Sequence, residues 1–359
     1  MVCDISHVGN ERNGQPRYWC GKHYASATGP KGIRLSRCAA ADRPELRDFE
    51  KLRLDPKQFR GGIAIWGALP PIFNTSPELE EYGVHVHARN EVESDSKKAI
   101  DGTYQHVEVC IGSDLLGPRW EVINTRMAVA YFATLAVGQE PKAIKCSHCQ
   151  RYHLDDGIFG VRPHRKHRCE YCGRDFFDDD HGIGNPIVVV KRAFSDDQFE
   201  REVHRSPKEL SLSLRDFDGG VAVWASNPAA FWTQPRSEHS GIHLHAYGKT
   251  AGGDARIVED ETFGSLNIEG IRLSRPMMRL LMAQRSIPEI RDAVKGFRCP
   301  ECNAPHFDRD EKAVTPHDEH ECELCGHLFR HSSGRASIGN PLIDNLETLA
   351  RALVKEARQ

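Results

Sequence analysis

One stretch of this chain is written twice, and it is built around cysteines. Residues 145–176 align without a gap with residues 298–329. Each copy begins with a Cys-x-x-Cys pair and nearly ends with another: Cys146, Cys149, Cys169 and Cys172, then Cys299, Cys302, Cys322 and Cys325. The two copies have the same 19 residues' separation between their pairs. Inside each copy a His and an Asp follow the first pair. Then comes Pro-His-x-x-His-x-Cys-Glu-x-Cys-Gly-x-x-Phe. A second block repeats upstream. FRGGIAIWGALPPIFNTSPELEEYGVHVHA at 59–88 aligns with FDGGVAVWASNPAAFWTQPRSEHSGIHLHA at 217–246, with 14 of 30 positions identical. Ile-Gly-Asn-Pro closes both copies, at 183–186 and 338–341. An internal repeat constrains the fold before any local pattern is considered. The chain reads as a tandem duplication, with one unit at 45–194, its copy at 195–359 and an N-terminal piece at 1–44.

The chain has 12 cysteines, and eight fall into these four pairs. A Cys-x-x-Cys turn sets two thiolates on one side of an ion, and a second turn closes a tetrahedron. Gly173 and Gly326 follow the second pairs, where the turn wants a permissive backbone. Both segments, 145–176 and 298–329, resemble the zinc-ribbon class over about 30 residues each. That resemblance implies two zinc ions held by four thiolates each. Such closed sites are structural, because no coordination position is left for a substrate. A redox dithiol is the competing reading, but two matched pairs at one spacing favour a metal. The ribbons also repeat three histidines: His153, His164 and His167, matched by His306, His317 and His320. These read as fold-supporting polar groups, as partners or replacements of the thiolates, or as part of a neighbouring site.

Cys3, His7, Cys20 and His23 offer a third tetrahedral set, an N-terminal zinc knuckle, with Cys38 as a substitute ligand. This set has no copy elsewhere in the chain. Cys110 lies in an apolar alternating stretch and reads as core.

The expected fold class is α+β. Ile63 to Trp66 reads as a short buried strand, and Gly83 to Ala88 alternates as a strand does. Residues 101–109 read as one further alternating strand, matched around 261–268. Helices are predicted near 120–138 and 276–295, and from Pro341 to about Lys355, capped by Asn340. A short linking helix is predicted over 195–206.

Two histidine pairs stand out from this frame: His85 and His87, and His243 and His245. Alternate strand residues share a face, so each pair would project two imidazoles side by side. That is the start of a catalytic metal site and supports a metal-dependent, hydrolase-like enzyme. His106, Glu108, Asp101 and Asp260 are the candidate third ligands. His106 and Glu108 align with Ser265 and Asn267, so the copies would differ there. Packing or hydrogen bonding is the plainer role for both pairs.

Charge narrows the partner only locally. The whole chain carries a formal charge of -3, which gives no global footprint for nucleic acid. The first ribbon has seven Lys or Arg against four Asp or Glu, net +3, whereas the second has three against eight, net -5. Arg162, Arg165, Lys166 and Arg168 are candidate phosphate contacts. No phosphate loop or nucleophile elbow is found. No signal peptide is evident, and the apolar run Met127 to Val137 is too short to span a membrane. A cytoplasmic protein is expected. The leading reading is a zinc-binding protein with duplicated modules that contacts protein or nucleic acid. The alternatives are the metal-dependent enzyme and a structural subunit of a larger complex, docked through exposed aromatics such as Trp232. Oligomeric state is not legible.

Overall fold

The computed structural model describes residues 6–10, 16–19, 24–26, 52–59, 62–75, 83–88, 100–194, 208–217, 220–226, 229–232, 241–249 and 255–356. The fold is mixed α/β, with four α-helices among the described residues. Three strands come first, β1 (Ser6–Asn10), β2 (Pro16–Trp19) and β3 (Tyr24–Ser26), in one antiparallel sheet. Of the N-terminal ligand set only the backbone of His7 is described, in β1. Cys3, Cys20, His23 and the alternative Cys38 lie outside the described residues, as does the linker at 195–206.

One order of elements then occurs twice. It first runs through β4 (Leu52–Leu54), β5 (Ile63–Ala68), β6 (Phe73–Asn74), β7 (Gly83–Ala88), β8 (Ile100–Tyr104), β9 (His106–Asp114) and β10 (Gly117–Asn124). Helix α1 (Thr125–Ala136), the ribbon hairpin β11 (Lys166–Arg168) and β12 (Asp175–Phe177), and α2 (Ile187–Phe194) complete it. The second run is β13 (Glu209–Leu212), β14 (Gly220–Ser226), β15 (Phe231–Trp232), β16 (Gly241–Lys249), β17 (Ala255–Phe263), β18 (Ser265–Ile268) and β19 (Ile271–Ser274). Helix α3 (Arg275–Ser286), the short β20 (Val294–Lys295), the hairpin β21 (Glu319–Glu321) and β22 (Leu328–Arg330), β23 (Ile338–Gly339) and α4 (Leu342–Glu356) follow.

The halves are interlocked. The sheet of the first half is ordered β15-β5-β7-β8, and that of the second β17-β16-β14-β6. The two-residue strands β6 and β15 therefore each pair with the other half. Phe231 lies opposite Ile65, and Phe73 opposite Val223. The side chains follow. Ala230 and Phe231 are buried in the core of the first half, with Ile63, Ile65, Val84 and Val107. Ile72 and Phe73 are buried in that of the second, with Val221, Val223, Ile242 and Leu244. Trp224 Nε1 donates to the Leu69 carbonyl at 2.8 Å, and the Ile72 N–H to Val223 at 2.9 Å. Helices α1 and α3 pack on each other between the sheets, and Arg279 donates to the Leu135 carbonyl.

Two expected elements move. Residues 120–124 belong to β10, paired with β9, because Trp120, Val122 and Asn124 continue the alternation of a hairpin. The helix starts only at Thr125, where Asn124 caps it by accepting the Met127 N–H at 2.9 Å. Helix α3 stops at Ser286 instead of 295, since Ile287 precedes Pro288 and takes an extended conformation, φ -100 and ψ 101. The strand expected over 101–109 is two strands in different sheets, β8 and β9, and its counterpart divides likewise into β17 and β18.

The repeated Ile-Gly-Asn-Pro has a structural account. Ile183 and Ile338 are buried. A Cβ on Gly184 would lie 2.9 Å from the His153 carbonyl oxygen. Asn185 and Asn340 are buried, accept the N–H of Ile187 and Leu342, and donate to the Met127 and Met277 carbonyls. This short motif thus starts the last helix of each half and ties it to α1 or α3.

Candidate metal centres

Each ribbon places its four cysteines on two similar turns. In the first, the Gln150 N–H bonds the Cys146 carbonyl at 2.9 Å, and the Gly173 N–H bonds that of Cys169 at 2.8 Å. Asn303 and Gly326 repeat these bonds to Cys299 and Cys322. All four residues are left-handed, with φ of 62, 68, 57 and 71 for Gln150, Gly173, Asn303 and Gly326. Glycine marks only two of these turns, so the other two were not legible from glycine alone.

The sulfurs converge. Cys146 and Cys172 are 3.7 Å apart and Cys149 and Cys169 3.6 Å. The second ribbon repeats both distances, between Cys299 and Cys325 and between Cys302 and Cys322. A disulfide would need about 2.05 Å. A tetrahedron of sulfurs about 2.3 Å from a zinc ion has edges of about 3.8 Å. The two groups therefore fit a tetrahedral ion and not a cystine. Their protonation points the same way. Burial raises the Cys146 thiol, but the N–H groups of Cys149 and His148 and the adjacent sulfurs outweigh it and bring it down to about 6. At Cys149 the Arg151 N–H lowers the thiol, while burial and the neighbouring sulfurs push it up to about 11. Four sulfurs this close ionise together only around a cation.

Beneath each ribbon lies a second polar group. Asp155 is buried, with His153 Nε2 at 2.7 Å, His164 Nε2 at 3.3 Å and His167 Nδ1 at 3.1 Å from its oxygens. It also accepts the Gly184 N–H at 2.7 Å. Asp308 holds the same position, with His306 at 2.8 Å, His317 at 3.3 Å, His320 at 3.4 Å and the Gly339 N–H at 2.6 Å. Burial raises the Asp155 carboxyl, yet the bonds from His153, His167 and Gly184 hold it well below the usual carboxylate range. The sequence shows the repeated histidines and the repeated aspartate, but spacing does not tell that the aspartate gathers the three histidines. The clue was the His-x-Asp kept in both copies.

No protein-family model matches this chain, nor does any curated protein or solved structure that was compared with it.

The paired histidines lie where alternation placed them. His85 and His87 meet at 2.8 Å through their Nε2 atoms, as do His243 and His245. Trp66 and Trp224 stand edge-on to His87 and His245 at 5.0 Å between centroids. Each pair can share one proton between two imidazoles. Among the described residues, no third ligating side chain completes a metal group with either pair. Glu108, a candidate third ligand, lies in another sheet and pairs with Arg53 at 2.5 Å. The side chains of Asp101 and Asp260 lie outside the described residues. Among the described residues no helix is long and apolar enough to cross a membrane. Arg162, a candidate phosphate contact, is spent inside the protein, where it donates to the Val314 carbonyl and Thr315.

Proposed function

We propose that the protein is a zinc-stabilised binding module, formed by tandem duplication of the unit at 45–194 into 195–359, whose first ribbon contacts single-stranded nucleic acid. The observation that carries this reading is the surface of the first ribbon. Tyr171 and Phe177 are exposed there, among exposed Arg151, Arg165, Arg168 and Arg174. Arg151 lies 4.9 Å over the Tyr171 ring. Cations that follow a backbone and rings on which bases stack are the two parts of a sequence-tolerant single-strand site. Asp178 to Asp180 follow, and two of them are engaged, with the Gly182 N–H and with Lys142. The second ribbon has Leu324 in place of Tyr171 and the opposite charge, so it serves as an internal control. Zinc in the four-thiolate sites would hold the ribbon turns and take no part in chemistry.

Fluorescence anisotropy with a labelled single-stranded oligonucleotide tests this. Binding should weaken as salt rises, with a log–log slope of about -0.7 per phosphate contact. Tyr171→Ala should cost about 1–3 kcal/mol of affinity. Binding insensitive to salt and to Tyr171 would remove the reading. A second reading, docking to a protein as a subunit of a larger complex, is favoured by the second ribbon. Leu324 and Leu328 are 76% and 69% exposed there amid acidic neighbours.

A further inference from the structure

We infer that two copies of this chain associate through their ribbon hairpins, with the outer face of β11 and β12 in one copy stacked on the outer face of β21 and β22 in the other.

The duplication carries opposite charges at matched positions. Strand side chains alternate, so the middle residue of each short strand points inward and its neighbours outward. His167 and Phe176 are buried in the first hairpin, and His320 and Phe329 in the second. The outer face of the first hairpin carries Lys166 and Arg168 on one strand and Asp175 and Phe177 on the other, all exposed. That of the second carries Glu319 and Glu321, then Leu328 and Arg330, also exposed. Phe177 and Leu328 are 71% and 69% exposed, so the two faces do not cover each other within one chain.

Register fixes which corners adjoin. Lys166 stands opposite Phe177 and Arg168 opposite Asp175. Glu319 stands opposite Arg330 and Glu321 opposite Leu328. Two such faces stack with their strands aligned in two ways. With β11 over β21 and antiparallel to it, Lys166 meets Glu321, Arg168 meets Glu319, Asp175 meets Arg330 and Phe177 meets Leu328. Every charged corner then faces its opposite, and the one apolar corner faces the other. With β11 over β22 instead, Lys166 meets Arg330 and Asp175 meets Glu321, like charge against like. The charges therefore select the first stacking and fix its register. The pairs already present inside each hairpin, Lys166 with Asp175 at 2.8 Å and Glu319 with Arg330 at 2.9 Å, join the same network.

The occupant is a second copy because the complementary face is part of the same chain. One hairpin contact is small beside the about 1,200 Å² that a specific interface buries. Each copy offers both faces, so two contacts about one two-fold axis add together, and association in the micromolar range is expected. This contact gives the second ribbon's protein-docking reading its occupant and rests on that reading. Nucleic-acid binding is not needed for it, although an oligonucleotide on the first ribbon would compete with the second copy.

Sedimentation velocity of the zinc-loaded full-length chain, without nucleic acid, tests it. Wild type should self-associate as its concentration rises through the micromolar range, and less so at high salt. Lys166→Glu with Arg168→Glu leaves both faces acidic, and Glu319→Lys with Glu321→Lys leaves both basic. Each double variant should self-associate more than about tenfold more weakly. All four changes in one chain exchange the signs at unchanged net charge and should restore association. A wild type that stays monomeric would overturn the inference and leave the second ribbon to another protein. Association that ignores the double variants, or a fourfold variant that stays apart, would overturn it as well. If a charge variant does not fold, Phe177→Ser decides: it should weaken association, and an unchanged association would overturn the inference.

Discussion

Phe231→Ala should destabilise the half of the protein that does not contain it. Phe231 belongs to the second run of elements, but its ring is 1% exposed inside the core of the first. A phenylalanine ring buries on the order of 150 Å² or more, and about 25 cal/mol per Å² gives about 4 kcal/mol. Measured Phe→Ala losses of about 3–5 kcal/mol agree, the cavity included. Only the side chain is removed, and the backbone pairing of Phe231 with Ile65 stays available. Native-state hydrogen exchange is the assay. Opening free energy in β5, β7 and β9 should fall by about 4 kcal/mol, so their amides should exchange roughly three orders of magnitude faster. Amides of β14 and β16 should change less. Phe73→Ala should give the mirror result, since Phe73 is 6% exposed in the core of the second half. If Phe231→Ala loosens only β14 and β16, the exchange of short strands between the halves is wrong.

Two further outcomes are expected. Gln150→Gly should raise the thermal midpoint slightly, because Gln150 sits at φ 62; relief of about 1–2 kcal/mol exceeds the glycine entropy cost of about 0.5–1 kcal/mol, and a lowered midpoint would contradict this. Asp155 and Asp308 have folded carboxyl groups depressed below the unfolded value of about 3.9. Their contribution is therefore full above about pH 4 and is lost as pH falls below it. In urea unfolding, the gap between wild type and Asp155→Asn should shrink with acid, and a gap constant down to pH 2 would refute it.

Much of the candidate site could be read from the residues alone. Cysteine spacing is a local property, since a Cys-x-x-Cys turn presents two sulfurs whatever surrounds it, and the convergence of each quartet followed from one closed tetrahedron. Period-two alternation likewise placed His85 beside His87 and His243 beside His245. Local pattern failed where two elements share it. Trp120 to Asn124 suits a helix start or a hairpin arm, and pairing with β9 decided between them. The stop of α3 is encoded locally, in Pro288.

The amino-acid sequence by itself determined that one unit occurs twice, that each occurrence carries a thiolate quartet, and that an Asn-Pro starts the last helix of each. Tertiary structure alone decided that Phe73 and Phe231 fill each other's half, that Arg162 is consumed at the Val314 carbonyl, and that Asp155 and Asp308 each draw three histidines together. The physical reason is range. Turn geometry and helix capping act over a few residues and leave their mark in spacing, whereas burial and cross-chain hydrogen bonds join positions far apart and leave none.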